Sequence, residues 1–201
     1  MFLHAFSVAI SKVDSFSTKV ERILYFHSFV KTTYPMQRIF FLSLLICLSV
    51  SPLLAQKTLP SVELRTLEGR PVNITDYLEE GHPVVLSFWA SWCKPCHREL
   101  NAFHKLYGQW QERFGARIIA VTIDTRRQLA RAKSYATTQD WDFILLSDQE
   151  NRLKNVLNFQ TIPQTYIIHP DGTVVYESNG YVPGAEKEIE KKLAEMTAEE
   201  R

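Results

Sequence analysis

The stretch from Val84 to Glu99 constrains this chain more than any other. Val84-Val85-Leu86-Ser87-Phe88-Trp89, bounded by Gly81-His82-Pro83 and by small Ala90-Ser91, reads as a strand covered on both faces. It leads through Trp92-Cys93-Lys94-Pro95-Cys96 into a segment where Leu100, Phe103, Tyr107, Trp110 and Phe114 recur at steps of three and four. That spacing predicts a helix over residues 93–114 with one apolar side. Pro95 fits its first turn, where a missing N–H leaves no hydrogen bond unmade. Past Gly115, Ile118-Ile119-Ala120-Val121-Thr122-Ile123 is a second apolar, β-branched run. Strand, helix and strand in that order make a parallel pair with a right-handed crossover, and hence an α/β domain.

Two thiols two residues apart at the start of such a helix are a redox device. The first N–H groups of a helix are unpaired and carry the positive end of its dipole, which favours a thiolate at Cys93. Cys93 is therefore the expected nucleophile. Cys96, one turn further in, is expected to be more buried and to attack a mixed disulfide at Cys93, closing the short ring and releasing the partner.

Residues 39–55 carry no charge and follow Met36-Gln37-Arg38. Residues 36–55 thus have the basic start, apolar centre and small end of a secretory signal, with cleavage expected after Ala55. Pro52 favours processing over the alternative, an uncleaved membrane anchor. Residues 1–35 have no sustained period and are read as an upstream extension outside the fold, with translation starting at Met36. Residues 56–201 are then one domain with a single core. Five of the 23 basic and two of the 22 acidic residues precede Gln56. The remainder is slightly acidic and offers no field for nucleic acid or anionic membrane. Cys47 would leave with the signal, so the exported domain keeps Cys93 and Cys96 and has no structural disulfide framework.

Along the rest of the domain, Val62-Glu63-Leu64 and Val72-Asn73-Ile74 flank a turn at Gly69 and predict a hairpin. Residues 128–138 read as a helix, 143–146 as a strand and 151–158 as a short helix. Thr165-Tyr166-Ile167-Ile168 and Thr173-Val174-Val175-Tyr176 around His169-Pro170-Asp171-Gly172 predict an antiparallel pair. A helix over residues 186–196 closes the chain, its Glu and Lys run reading as a solvated face.

A CxxC between a buried strand and a helix, with Thr161-Ile162-Pro163 before a later strand, resembles the thioredoxin family. Trp92-Cys93-x-Pro95-Cys96-x-x-Glu99, the export signal, the N-terminal hairpin and an inserted strand-helix region narrow this to the TlpA/ResA-like extracytoplasmic thiol-disulfide oxidoreductases, over residues 57–201. The resemblance implies a thioredoxin-like three-layer α/β sandwich with a mixed central sheet. It assigns Cys93 as nucleophile and Cys96 as resolving thiol, with no cofactor beyond their disulfide. It also implies a cis Ile162-Pro163 bond, with Pro163 against the pair and the Ile162 backbone available to an extended substrate segment. Trp92, Lys94 and Pro95 complete the expected substrate-binding surface.

In ResA-like proteins a Glu at the position of Glu99 handles protons for the buried thiol, a task that suits a buried carboxyl with a raised pKa. The plainer reading is a solvated first-turn Glu. Thioredoxins carry a buried Asp six residues before the first Cys, where this chain has Ser87, which leaves Glu99 or water as proton acceptor. Lys94 stands in place of the thioredoxin Gly, and its charge favours a Cys93 thiolate or is simply solvated. The implied partners are periplasmic protein thiols and disulfides, for example those of apocytochrome c, whose disulfides would be reduced to thiols at the expense of a membrane thiol-disulfide electron donor.

Rival readings use the same letters. Cys93-Lys94-Pro95-Cys96-His97 is also CxxCH, the attachment signature of c-type haem, and two thiolates with a His could hold a metal. An inert Cys pair is the blandest option. Trp89 is expected in the core, Trp92 at the partner surface, His97 in solvent, and Asp124, at a strand end on the site side, in contact with substrate.

Overall fold

The computed structural model describes residues 56–78 and 81–199, all within one unit, Ala55–Arg201. The expected extension 1–35 and the signal or anchor 36–55 lie outside the described residues. Among the described residues no helix is long and apolar enough to cross a membrane.

Seven strands form one mixed sheet: β1 Glu63–Thr66, β2 Pro71–Asn73, β3 Val84–Trp89, β4 Arg117–Thr122, β5 Ile144–Ser147, β6 Gln164–Ile168 and β7 Val174–Asn179. Their spatial order is β2-β1-β5-β4-β3-β6-β7. β3, β4 and β5 run parallel, while β1, β6 and β7 join antiparallel. Four helices, α1 Lys94–Phe114, α2 Leu129–Thr138, α3 Arg152–Leu157 and α4 Glu186–Glu199, pack on the sheet. A 3-10 turn at Ile74–Tyr77 follows the hairpin, capped by the Asn73 side chain on Thr75 N–H at 3.1 Å. The expected thioredoxin-like sandwich, with its N-terminal hairpin and an α2-β5-α3 insertion between β4 and β6, is the observed fold. Boundaries move slightly. The strand expected at 143–146 starts one residue later, and the last helix runs on past 196 to Glu199.

The parity of β3 decides which side chains reach the site. Successive strand residues point to opposite faces. Val84, Leu86 and Phe88 join Ile119, Val121, Tyr166 and Ile168 under α3, where Leu153 and Leu157 cover them. Val85 and Trp89 lie on the other face with Ile118, Ala120 and Ile167, covered by Leu100, Phe103, Tyr107 and Trp110 of α1 and Ile189 and Leu193 of α4. Burial of each such side chain contributes about 1.5–3 kcal/mol, so the predicted stripe of α1 is also its anchor. Ser87, at an odd position, faces α1. So does Thr165, its register partner on β6.

Gly115 ends α1 with φ 64°, a left-handed conformation in which a side chain is disfavoured. A Cβ there would also come within 3.2 Å of His82 Nδ1. The helix axis, and with it the placement of Cys93, is therefore fixed at both ends.

Candidate active site

β3 ends at Trp89, and Ala90-Ser91-Trp92 carries the chain to Cys93, which is the N-cap of α1 in an extended conformation (φ −91°, ψ 94°). Cys93 Sγ accepts the Cys96 N–H at 3.3 Å, one of the unpaired donors of the first turn. Cys93 and Cys96 are joined in a disulfide. Cys96 is fully buried and Cys93 is 4% exposed, so the accessible edge of the pair belongs to Cys93.

The Ile162-Pro163 bond is cis, and the Ile162 carbonyl oxygen lies 3.9 Å from Cys93 Sγ. Pro163 is buried, and its carbonyl accepts the Gly180 N–H at 2.8 Å, tying the loop after β7 to the site. Of the residues expected to meet substrate, Trp92 is 53% exposed, Lys94 is exposed, and Pro95 and Ile162 are half-buried. Trp89 is fully buried, in the core where its strand position puts it.

Glu99 is buried, not solvated, with 3% of its surface exposed. Its Oε2 accepts hydrogen bonds from Ser87 Oγ at 2.8 Å and Thr165 Oγ1 at 3.1 Å. Burial pushes its pKa up to about 7, against the opposing pull of those two hydroxyl donors. Ser87, on β3, thus donates a hydrogen bond to the buried Glu99 carboxyl. Thr165 was not anticipated. Its signal was present as a hydroxyl-bearing residue at the start of β6, at the parity that faces α1.

Two expectations are corrected. Asp124 does not reach substrate: it is fully buried and accepts from Ser91 N at 2.7 Å, Ser91 Oγ at 2.8 Å and Thr122 Oγ1 at 2.6 Å. It clamps the end of β4 to the connection that delivers Cys93. His97 is not a solvated residue either. Its ring stacks on Tyr135 of α2 at 3.8 Å and meets Trp89 edge-on at 6.1 Å. Burial pushes its pKa down, against a hydrogen bond to the Ala90 backbone, and Nε2 is buried without a partner. A neutral ring satisfies that environment.

These contacts also weigh on the rival readings. Haem attachment needs both sulfurs as thioethers and a free imidazole; the sulfurs are bonded to each other and His97 is packed between aromatic rings. Among the described residues no group of three or more His, Cys, Asp or Glu side chains is gathered to hold a metal.

The family model described as AhpC/TSA matches residues 55–177, which include both cysteines, Glu99 and Pro163. The chain belongs to the AhpC/TSA family. Within this thioredoxin-like family it is similar to the thiol-disulfide oxidoreductase ResA of Geobacillus thermodenitrificans, with 32% identity over 117 residues, covering 58% of this chain and 64% of that protein. The chain thus spans just under two thirds of that relative's length. The solution structure of a thioredoxin-like protein from Porphyromonas gingivalis has 36% identity and a TM-score of 0.64, covering 71% of this chain and 94% of the other. A secreted Mycobacterium tuberculosis disulfide oxidoreductase, homologous to DsbE of E. coli, shares the fold with a TM-score of 0.55 and 22% identity, covering 67% and 95%. Family membership, the similarity to ResA and the Cys93–Cys96 disulfide together make this AhpC/TSA protein similar to the ResA-type thiol-disulfide oxidoreductases.

Proposed function

We propose that this domain acts in the periplasm as a reductant of protein disulfides. The observation that carries the reading is the Cys93–Cys96 couple at the α1 N-terminus, one turn from a buried carboxyl and beside Ile162-Pro163. In the reduced protein the Cys93 thiolate, favoured by the helix dipole and by exposed Lys94, attacks one sulfur of a substrate disulfide. A mixed disulfide forms, and the departing substrate sulfur takes a proton. Cys96 then gives its proton to the Glu99 carboxylate and attacks Cys93 Sγ. The Cys93–Cys96 bond re-forms and the second substrate sulfur leaves, so two electrons pass from the pair to the substrate. A thiol-disulfide donor in the membrane returns the pair to the dithiol.

Glu99 suits the proton step because a carboxyl with a pKa of about 7 can both accept and release a proton near neutrality. Trp92, Lys94, Pro95, Ile162 and Pro163 are the residues we assign to substrate binding, with an extended substrate segment lying against the Ile162 backbone, whose carbonyl is 3.9 Å from Cys93 Sγ. Export rests on residues 36–55, whose pattern is that of a secretory signal. Apocytochrome c with its cysteines joined as a disulfide is one substrate class that the resemblance to ResA-like proteins implies, its free thiols being the product.

Insulin reduction tests the assignment. Cys93→Ser is expected to abolish turnover, and Cys96→Ser to accumulate mixed disulfides that dithiothreitol releases. Full turnover by either variant would refute the mechanism.

A further inference from the structure

The site continues into a groove that the redox chemistry does not use. Lys94, Arg98 and Lys105 lie on one stripe of α1, because offsets of four and eleven residues return to within about 40° of the same helix side. All three are exposed. None has an ion-pair partner among the described residues. Beside the stripe lies a groove of about 460 Å³, with Arg98, Ala102, Lys105 and Leu106 on the α1 side and Tyr181 and Glu186 opposite. The Glu186 carboxylate is committed to its own loop, accepting from Tyr181 Oη at 3.3 Å and Gly184 N at 3.1 Å. The groove therefore sets two cations, Arg98 and Lys105, against one carboxylate, Glu186, whose Oε2 is already engaged by its own loop.

Resting on the reductase reading above, we infer that this groove receives an acidic stretch of the substrate polypeptide next to its target cysteine. Two features favour a polypeptide over a lipid surface. The groove is concave and walled by the loop that Gly180 anchors to Pro163, and its stripe begins at the residue beside Cys93. The twelve residue steps from Cys93 to Lys105 rise about 18 Å, the length of roughly five extended residues. The acidic side chains thus belong within about five positions of the substrate cysteine. Charge complementarity of this kind acts mainly on the association rate and weakens with salt. It is a local feature, since residues 56–201 as a whole are slightly acidic.

The test uses the reduced full chain and two dodecapeptides that carry the same activated disulfide, flanked on one side by four Asp or by four Lys. Second-order rates of mixed-disulfide formation are divided by the rate with hydroxyethyl disulfide, which is too small to span the groove. The Asp peptide is expected to react at least tenfold faster than the Lys peptide at 20 mM salt, and the ratio to fall below three at 0.5 M. In the R98E/K105E double variant the preference is expected to reverse. Equal peptide rates in the unmodified protein, or a preference for Asp that survives the double substitution, would overturn the inference while leaving the reductase reading intact. Failure to react with any disulfide would overturn both. Sedimentation with phosphatidylglycerol vesicles that is lost in R98E/K105E, together with equal peptide rates, would assign the stripe to a membrane instead.

Discussion

Glu99 is the residue whose protonation its surroundings control most strongly. Its folded-state pKa of about 7 lies above the ordinary carboxyl value of 4.5, so between those values the folded protein holds a proton that the unfolded chain has released. Folding stability in this window therefore falls as pH rises. A shift of that size corresponds to roughly 3 kcal/mol between pH 4.5 and 8. Urea unfolding of the oxidised protein should register this loss relative to Glu99→Gln, in which the titration is gone; parallel pH curves for the two would mean that Glu99 ionises like a surface carboxyl. Its hydroxyl partners matter for the same reason. Ser87 and Thr165 stabilise the ionised form, so loss of either donor is expected to raise the Glu99 pKa further, as read by carboxyl NMR shifts. The motif placed Glu99 near the pair, but its burial depended on strands β3 and β6 meeting in register, which local sequence does not encode. His97 and Asp124 were misread for a related reason: the contacts that bury them come from Tyr135 on α2 and Ser91 after β3, each more than thirty positions away.

At the level of elements, the connection between β3 and α1 is held from the side by the end of β4. Asp124 receives three hydrogen bonds from Ser91 and Thr122, all buried. Asp124→Ala leaves those donors without partners and is expected to cost about 2–4 kcal/mol. Because Ser91 lies two residues before Cys93, mixed-disulfide formation should slow as well, whereas Asp124→Asn, which retains an acceptor, should recover much of the stability. Denaturant midpoints and thiol-exchange rates measured on the same samples separate the two effects. An Ala variant as stable as the parent would show that the clamp is dispensable. Periodicity in the sequence was enough to place α1, β3, β4 and the β6-β7 pair, because each has a long apolar run or a strong turn. The short β5 was placed one residue early, since Phe143 is as apolar as the strand and is buried just outside it.

Across the whole molecule, two apolar layers share one sheet, and α1 and α4 close the layer that contains the disulfide. Arg113 and Glu190 pair at the α1-α4 contact, outside the apolar seam. A protein starting at Gln56 is expected to unfold in a single cooperative transition, with circular dichroism and tryptophan fluorescence coinciding, and to reduce insulin at the rate of the longer chain. Separate transitions would mean that residues before Gln56 contribute to the fold. The mixed sheet order was legible only through family resemblance, because pairing between β1 and β5, some eighty residues apart, leaves no periodic trace.

The first described residues are tied to the turn between β6 and β7. Leu59 N–H donates to the Gly172 carbonyl at 2.8 Å, and Val174 N–H to the Lys57 carbonyl at 2.7 Å. Since β6 runs antiparallel to β3, this turn lies at the pole of the sheet where β3 begins, while Cys93 lies where β3 ends. Six strand residues, about 20 Å, separate the two poles. Lys57 and Leu59 are therefore held at the end of the sheet remote from the sulfurs, so substitutions at this turn are expected to change stability while leaving thiol exchange at Cys93 unaltered.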